Sequence, residues 1–330
     1  MTTRRVFLFE YLSAGMGDGR HGAPVELRAE GLAMRDAMQA DLTALQDVEL
    51  SVAVGRSDSS FGADSPASTR HVCALVGESA PDFVARQADS HDLVWVVAPE
   101  TGGLLAALNE VVPPQRWLGC TGDAIRLASS KRATLARLQQ HSIATPLDFM
   151  TDAAVRHWVV KPDDGAGSLD TRRHGDHAAA LIDLQRRGQR GETATLEPWV
   201  NGDALSLSLQ VHDNNAELLA VNRQRLAIDG EGAVSLIEVD IAVGDFDAAQ
   251  RHAFEQTARD VCAAIPGLAG WVGIDLVWHA QRGPVVVEVN PRVTSAYVGM
   301  SATLGRNLAA EILSAHEAAQ PRAAITDAAL

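Results

Sequence analysis

Between Gly270 and Arg292 lie two β-rich runs, Trp271 to His279 and Pro284 to Asn290, joined by Ala280-Gln281-Arg282-Gly283. Strand-forming residues on either side of a short glycine-bearing turn predict a hairpin. A symmetric loop pairs Ala280 with Gly283 and sets Asp275 opposite Glu288, whether it holds two residues or four. Opposed side chains have Cβ atoms about 4.5–5.5 Å apart, and like charges there destabilise the pair. Asn290 falls on the same face as Glu288, because strand side chains alternate. Two carboxylates and an amide oxygen inside an otherwise apolar hairpin suit a hard cation, and Mg²⁺ takes such ligands alongside phosphates. An exposed face with scattered acids is the plainer alternative, and the hairpin alone leaves both open.

The rest of the chain limits what such a hairpin can serve. Its 330 residues suffice for a sizeable core in two or three lobes. A net charge of −14 argues against binding to nucleic acid or to an anionic membrane surface. Cys73, Cys120 and Cys262 lie far apart with no metal-like spacing, which fits a reduced cytoplasm. Glu10 interrupts the apolar run after Arg4-Arg5, so Val6 to Phe9 reads as a first buried strand rather than a signal peptide. No run of about eighteen apolar residues predicts a membrane span.

Further apolar runs, Val48 to Val54, Val72 to Val76 and Leu93 to Ala98, alternate with polar or helical material. They predict a doubly wound parallel α/β domain. Met34, Met38, Leu42 and Leu45 recur at helical spacing within Arg28 to Leu45 and read as core. The glycine-rich stretch Glu10 to Gly19 follows the first strand, a place where open α/β sheets bind ligands. Tyr11 and Ser13 are substrate candidates there. Glu100 reads as a ligand contact or as a helix-start acid. Val112-Pro113-Pro114 marks a domain boundary.

Lys131 opens a helix running to about Gln140. Trp158 to Pro162 is a strand carrying Lys161, followed by a turn from Asp163 to Ser168. Backbone N–H groups of such a turn can cradle phosphate, although no Gly-Lys-Ser/Thr ends it and a solvated surface turn reads equally well. A strand from Ala194 to Val200 bends at Glu197-Pro198-Trp199-Val200-Asn201-Gly202-Asp203, exposing backbone groups to a planar base. Arg223 and Arg225 alternate on one strand and suit phosphoryl oxygens, or an exposed edge. Helices are expected at Ala248 to Ile265 and Thr303 to His316, and a poorly ordered tail from Gln320.

Taken in order, Lys131, Lys161 with Gly165-Ala166-Gly167-Ser168, the Glu197 bend, Asp275 and Glu288-Val289-Asn290-Pro291-Arg292 resemble the ATP-grasp superfamily across Trp117 to Leu313. The resemblance implies two α+β subdomains gripping ATP behind an N-terminal α/β domain, with boundaries at 1–115, 116–200 and 201–330. It implies phosphate contacts from Lys131 and Lys161, and a lid of Gly165, Gly167 and Ser168. Adenine would meet Glu197 and the Val200 backbone. Asp203 would take the ribose in place of the family's usual glutamate. Mg²⁺ (or Mn²⁺) would be held by Asp275, Glu288 and Asn290, and Arg292 with Arg223 would stabilise the transferred phosphoryl group. Ser295 and Tyr297 join Tyr11 and Ser13 as substrate candidates.

Val6 to Tyr11 and Glu30 to Met34 are similar to the branch containing the tyramine–glutamate ligase of methanofuran biosynthesis and its methylotroph relatives. That branch implies glutamate and tyramine or tyrosine as substrates of a carboxylate–amine ligase, with room for a homodimer. A carboxyphosphate-forming enzyme and a non-catalytic nucleotide-binding regulator are the alternatives. A nicotinamide dehydrogenase built on Gly15-Met16-Gly17 leaves the lysines and hairpin acids without a role.

Overall fold

Strand β1 (Arg4–Glu10) is buried from Val6 to Glu10, as a central strand covered on both faces must be. The computed structural model describes residues 3–17, 25–56, 69–165 and 167–319. Around β1 stand α1 (Val25–Thr43), β2 (Val48–Ala53), β3 (Thr69–Val72), α2 (Ala80–Ala88), β4 (Leu93–Val97), α3 (Leu104–Glu110) and β5 (Trp117–Leu118). Every pairing in this five-stranded sheet is parallel, in the order β3-β2-β1-β4-β5. The parallel α/β domain expected from the apolar runs is present.

One run is displaced. The third strand ends at Val72 instead of spanning Val72 to Val76, and Leu75 and Val76 are 58% and 87% exposed. An edge strand needs no apolar run, and Thr69-Arg70-His71 pairs with β2 in its place.

Helices α4 (Gly122–Ser129) and α5 (Lys131–Gln140) meet at Ser130, whose side chain caps α5 by accepting from Ala133 N. Then β6 (Trp158–Pro162), β7 (Arg172–His174), α6 (His177–Gln189) and β8 (Ala194–Pro198) give a three-stranded antiparallel sheet ordered β7-β6-β8. A second antiparallel sheet follows from β9 (Asp203–His212), β10 (Asn215–Ile228), β11 (Val234–Asp240), β12 (Gly270–His279) and β13 (Gly283–Asn290), ordered β11-β10-β9-β12-β13. Helix α7 (Ala248–Ala264) precedes the hairpin; α8 (Met300–Leu304) and α9 (Leu308–Ala319) end the described chain. Two helices stand where one was expected from Thr303 to His316, because Gly305 turns left-handed at φ +66°. The tail from Gln320, Ala166 of the expected lid, and Asp18 with Gly19 of the first loop lie outside the described residues.

Alternation in β9 decides where the two faces go. Leu205, Leu207 and Leu209 pack with Phe254, Ala258 and Val261 of α7, while Ser206 and Ser208 accept hydrogen bonds from Asn222 Nδ2. A second core joins Val6, Leu8 and Met38 of the first domain to Trp271, Tyr297 and Ile312.

Candidate active site

A cleft of about 1240 Å³ opens between the carboxyl ends of β1 and β4 and the two antiparallel sheets. The β12–β13 register sets Asp275 opposite Glu288, as the sequence predicts, by a different route. His279, not Ala280, pairs with Gly283 in a loop shifted by one residue. A bulge that skips Val287 then restores the expected pairing before Asp275.

Asp275 Oδ1 accepts from Gln224 Nε2 at 2.8 Å and Oδ2 from Asn290 Nδ2 at 3.1 Å. Burial, with the charge of Glu288 added, pushes the Asp275 carboxyl up to about 6 against those two donors and Arg292. Lys131 Nζ lies 2.9 Å from Glu288 Oε1 and donates to the Gly165 carbonyl at 2.9 Å. Burial works to lower the Lys131 pKa, but Glu288 and then Glu100 and Glu197 outweigh it and raise it. Asp163 sets the start of this helix: its carboxylate accepts from Ser130 Oγ at 2.7 Å and from Arg132 N at 2.9 Å.

Lys161 and Glu197 face each other from β6 and β8, Nζ to Oε2 2.9 Å, and both are buried. The Glu197 carboxylate is thus committed to the lysine and to Thr195 Oγ1 at 3.0 Å. Val200 and Asp203 line the cleft beyond it. Gly165, Gly167 and Ser168 line the side near α1, with Gly167 and Ser168 at φ +69° and +59°. Glu100 does stand at a helix start, the N-cap of the 3-10 turn Thr101–Gly103, but its side chain makes no cap bond there and instead forms a bidentate pair with Arg292 at 2.8 and 3.0 Å.

Three expected site residues are placed differently. Arg223 lines the cleft, but its guanidinium goes to Asp245 at 2.9 Å, and alternation gives Gln224 the position at Asp275. Ser13 is fully buried and ties the turn after β1 through its N–H to Glu10 Oε2 at 2.6 Å. Tyr297 packs edge-on to Trp95 and Trp271 and donates to Asp41 Oδ2 at 2.6 Å, away from the cleft. Tyr11 and Ser295 do line it.

The donor set at the hairpin fits a hard cation. Two opposed carboxylates already draw an ammonium and two amide N–H groups, and Asn290 keeps its carbonyl oxygen available. Among the described residues, no group of three or more His, Cys, Asp or Glu side chains could hold a metal, so the hairpin offers two carboxylates and an amide only.

A family model described as an ATP-grasp domain matches residues 128–296, and one described as a pre ATP-grasp domain matches residues 50–125. The chain belongs to the ATP-grasp superfamily. Solved structures share the ATP-grasp fold. A protein of Archaeoglobus fulgidus assigned to this superfamily is 20% identical with a TM-score of 0.68, over 94% of this chain and 88% of that one. An L-amino acid ligase from Bacillus licheniformis is 15% identical with a TM-score of 0.62, over 94% of this chain and 73% of that one. D-alanine–D-alanine ligase from Bacillus anthracis is 15% identical with a TM-score of 0.63, over 96% and 98%. No curated protein sequence matches this ATP-grasp chain.

Sequence reasoning missed Gln224, Asp163 and the Glu100–Arg292 pair. The alternation that flagged Arg223 and Arg225 carried the signal for Gln224, read on the other face. Nothing in sequence joins Glu100 to a residue 192 positions away.

Proposed function

We propose that this ATP-grasp chain is an ATP-dependent ligase joining a carboxylate to an amine through an acyl phosphate. The observation that carries the reading is the convergence of Asp275, Glu288 and Asn290 with Lys131, Lys161 and Arg292 in one cleft. Phosphoryl transfer asks a protein for positioning and charge neutralisation more than for a nucleophile, and this set offers that. The ligases among the structural relatives, by their names, support the same chemistry.

In this proposal the Glu197–Val200 backbone receives adenine, Asp203 the ribose, and Lys161 the phosphates. Lys131 exchanges Glu288 for phosphate oxygens. Mg²⁺ (or Mn²⁺), held by Asp275, Glu288 and Asn290, would neutralise charge on the phosphate oxygens. A substrate carboxylate attacks the γ-phosphorus and ADP leaves, with Arg292 facing the charge that builds up and Arg223 a second cation at the rim. An amine then attacks the acyl carbon, the bond to phosphate breaks, and phosphate and a proton depart. Gly165, Gly167 and Ser168 close over the phosphates and keep water from the acyl phosphate. Residues 1–115, 116–200 and 201–330 would serve as the substrate domain and the two halves of the grip, with β5 (Trp117–Leu118) taken into the first of them because it closes the parallel sheet.

The resemblance of the first strand and helix favours the γ-carboxylate of glutamate as donor and tyramine or tyrosine as acceptor, in building a methanofuran-type one-carbon carrier. ADP release from Mg-ATP and glutamate, with and without each amine and with the product weighed, tests this. Amine-dependent release with a glutamyl-amide product is expected. Release that depends on bicarbonate instead would replace the reading with carboxyphosphate formation.

A further inference from the structure

A second cavity, of about 610 Å³, is walled by β7, α6 and the residues that flank them. Asp170, at the end of the turn between β6 and β7, is the one described residue that lines both this cavity and the cleft. Arginine gathers here in a chain whose net charge is −14. Arg172 comes from β7, Arg186 and Arg187 from the last turn of α6, and Arg190 from its C-terminal cap. Cations at a helix end stabilise the helix by themselves, which suffices for Arg186 and Arg190. It explains neither the burial of Arg187 nor an arginine on the facing strand.

Arg187 is only 6% exposed. Its Nη2 donates to the Asp170 carbonyl at 2.7 Å and its Nε to Asp183 Oδ1 at 3.4 Å, while Nη1 makes no hydrogen bond among the described residues. A buried guanidinium with an unspent donor is costly unless an acceptor meets it from the cavity. The acids nearby are occupied. His174 Nε2 lies 3.0 Å from Asp183 Oδ2. Burial works to raise the Asp183 carboxyl, but His174 and Arg187 outweigh it and lower it. Glu192 pairs with Arg190 at 2.6 Å. Arg172 lies 3.9 Å from an exposed Glu231 carboxylate, and Arg186 forms no ion pair among the described residues. Ala179 and Ile182, neighbours on one face of α6, give the cavity an apolar side, and Ile182 is 49% exposed.

We infer that this cavity is a second ligand site, taking a small phosphate monoester whose dianion meets Arg172, Arg186 and Nη1 of Arg187 and whose carbon body covers Ala179 and Ile182. Guanidinium groups match phosphate oxygens in geometry and in charge. A bare phosphate would leave a cavity of this size unfilled and its apolar side in water. A monocarboxylate would bring one charge where two guanidinium groups stand open. The inference is independent of the ligase reading, since it uses no residue placed in the reaction.

Calorimetry on the full chain, with the cleft first filled by Mg²⁺ and a non-hydrolysable ATP analogue, tests it with phenyl phosphate, inorganic phosphate and benzoate as probes. Phenyl phosphate is expected to bind at least about tenfold more tightly than either of the others. Arg172→Gln combined with Arg186→Gln should weaken it by about tenfold or more, at unchanged affinity and stoichiometry for the nucleotide analogue. Ile182→Ser should weaken phenyl phosphate and leave inorganic phosphate alone. Both variants should melt as the wild type does, because neither Arg186 nor Ile182 is buried. Absence of phenyl phosphate binding, or wild-type affinity in the double variant, would overturn the site. Inorganic phosphate or benzoate binding as tightly as phenyl phosphate would overturn the ligand class.

Discussion

At Asp275, the residue proposed to hold Mg²⁺, stability and ligand binding would be coupled through one carboxyl. Its carboxyl is pushed up to about 6 by burial and by Glu288. A raised carboxyl adds stability that is fully present below its unfolded value, near 3.8, and is lost as pH rises through about 6. The native protein without a cation therefore carries, at neutral pH, a penalty of up to about 3 kcal/mol from this group. Asp275→Asn should shift stability relative to wild type by up to that amount between pH 4 and pH 7.5, favouring the variant at the higher pH. Urea denaturation in chelator across this range measures it, and a constant offset would show that the acids do not strain each other. Cation loading requires the charged form, so Mg-ATP affinity should weaken below about pH 6. Glu288→Gln keeps the shape and removes one charge; it should abolish Mg²⁺-dependent turnover while the protein stays folded. Full turnover in that variant would remove the metal assignment.

At the scale of elements, the pattern of side chains was more legible than the path of the backbone. The opposition of Asp275 and Glu288 was readable because charge and alternation constrain a strand. The one-residue loop shift and the bulge at Val287 that cancels it were not, because three consecutive valines, Val285 to Val287, carry no mark of which one is skipped. The third strand and the last helix were misplaced for related reasons. An edge strand has no apolar signature, and a lone glycine stops a helix only when it takes the left-handed conformation. Gly202 shows a constraint that sequence hints at without giving its cause. It joins the Glu197 bend to β9, and a Cβ there would lie 2.2 Å from Trp278 O of β12. That carbonyl belongs to backbone and cannot swing away. Gly202→Ala should therefore cost about 2–4 kcal/mol and weaken ATP binding by moving Val200 and Asp203. Unchanged melting and affinity would mean the bend yields freely.

Across the whole molecule, the short loop after β4 ties the parallel sheet to segments following β6 and β13 of the two antiparallel sheets. Gly102 N donates to Asp164 Oδ2 at 2.7 Å just after β6, and Glu100 clasps Arg292 just past the β12–β13 hairpin. The side chains of Arg292 and Glu100 are 10% and 4% exposed, so neither charge is well hydrated. Removing one partner of such a pair leaves the other buried and uncompensated, typically costing about 3–5 kcal/mol, against under about 1 kcal/mol for an exposed pair. Glu100→Gln should fall in the larger range in urea denaturation, and Glu100→Gln combined with Arg292→Met should recover part of the loss. The transition should stay single, because α9 and Tyr297 share a core with β1 and α1 and keep the domains in one cooperative unit. A separate early transition for the parallel domain would show that the clasp, rather than the shared core, holds the halves together. A loss below about 1 kcal/mol would instead leave Arg292 free to turn from Glu100 to an incoming phosphoryl group at little cost.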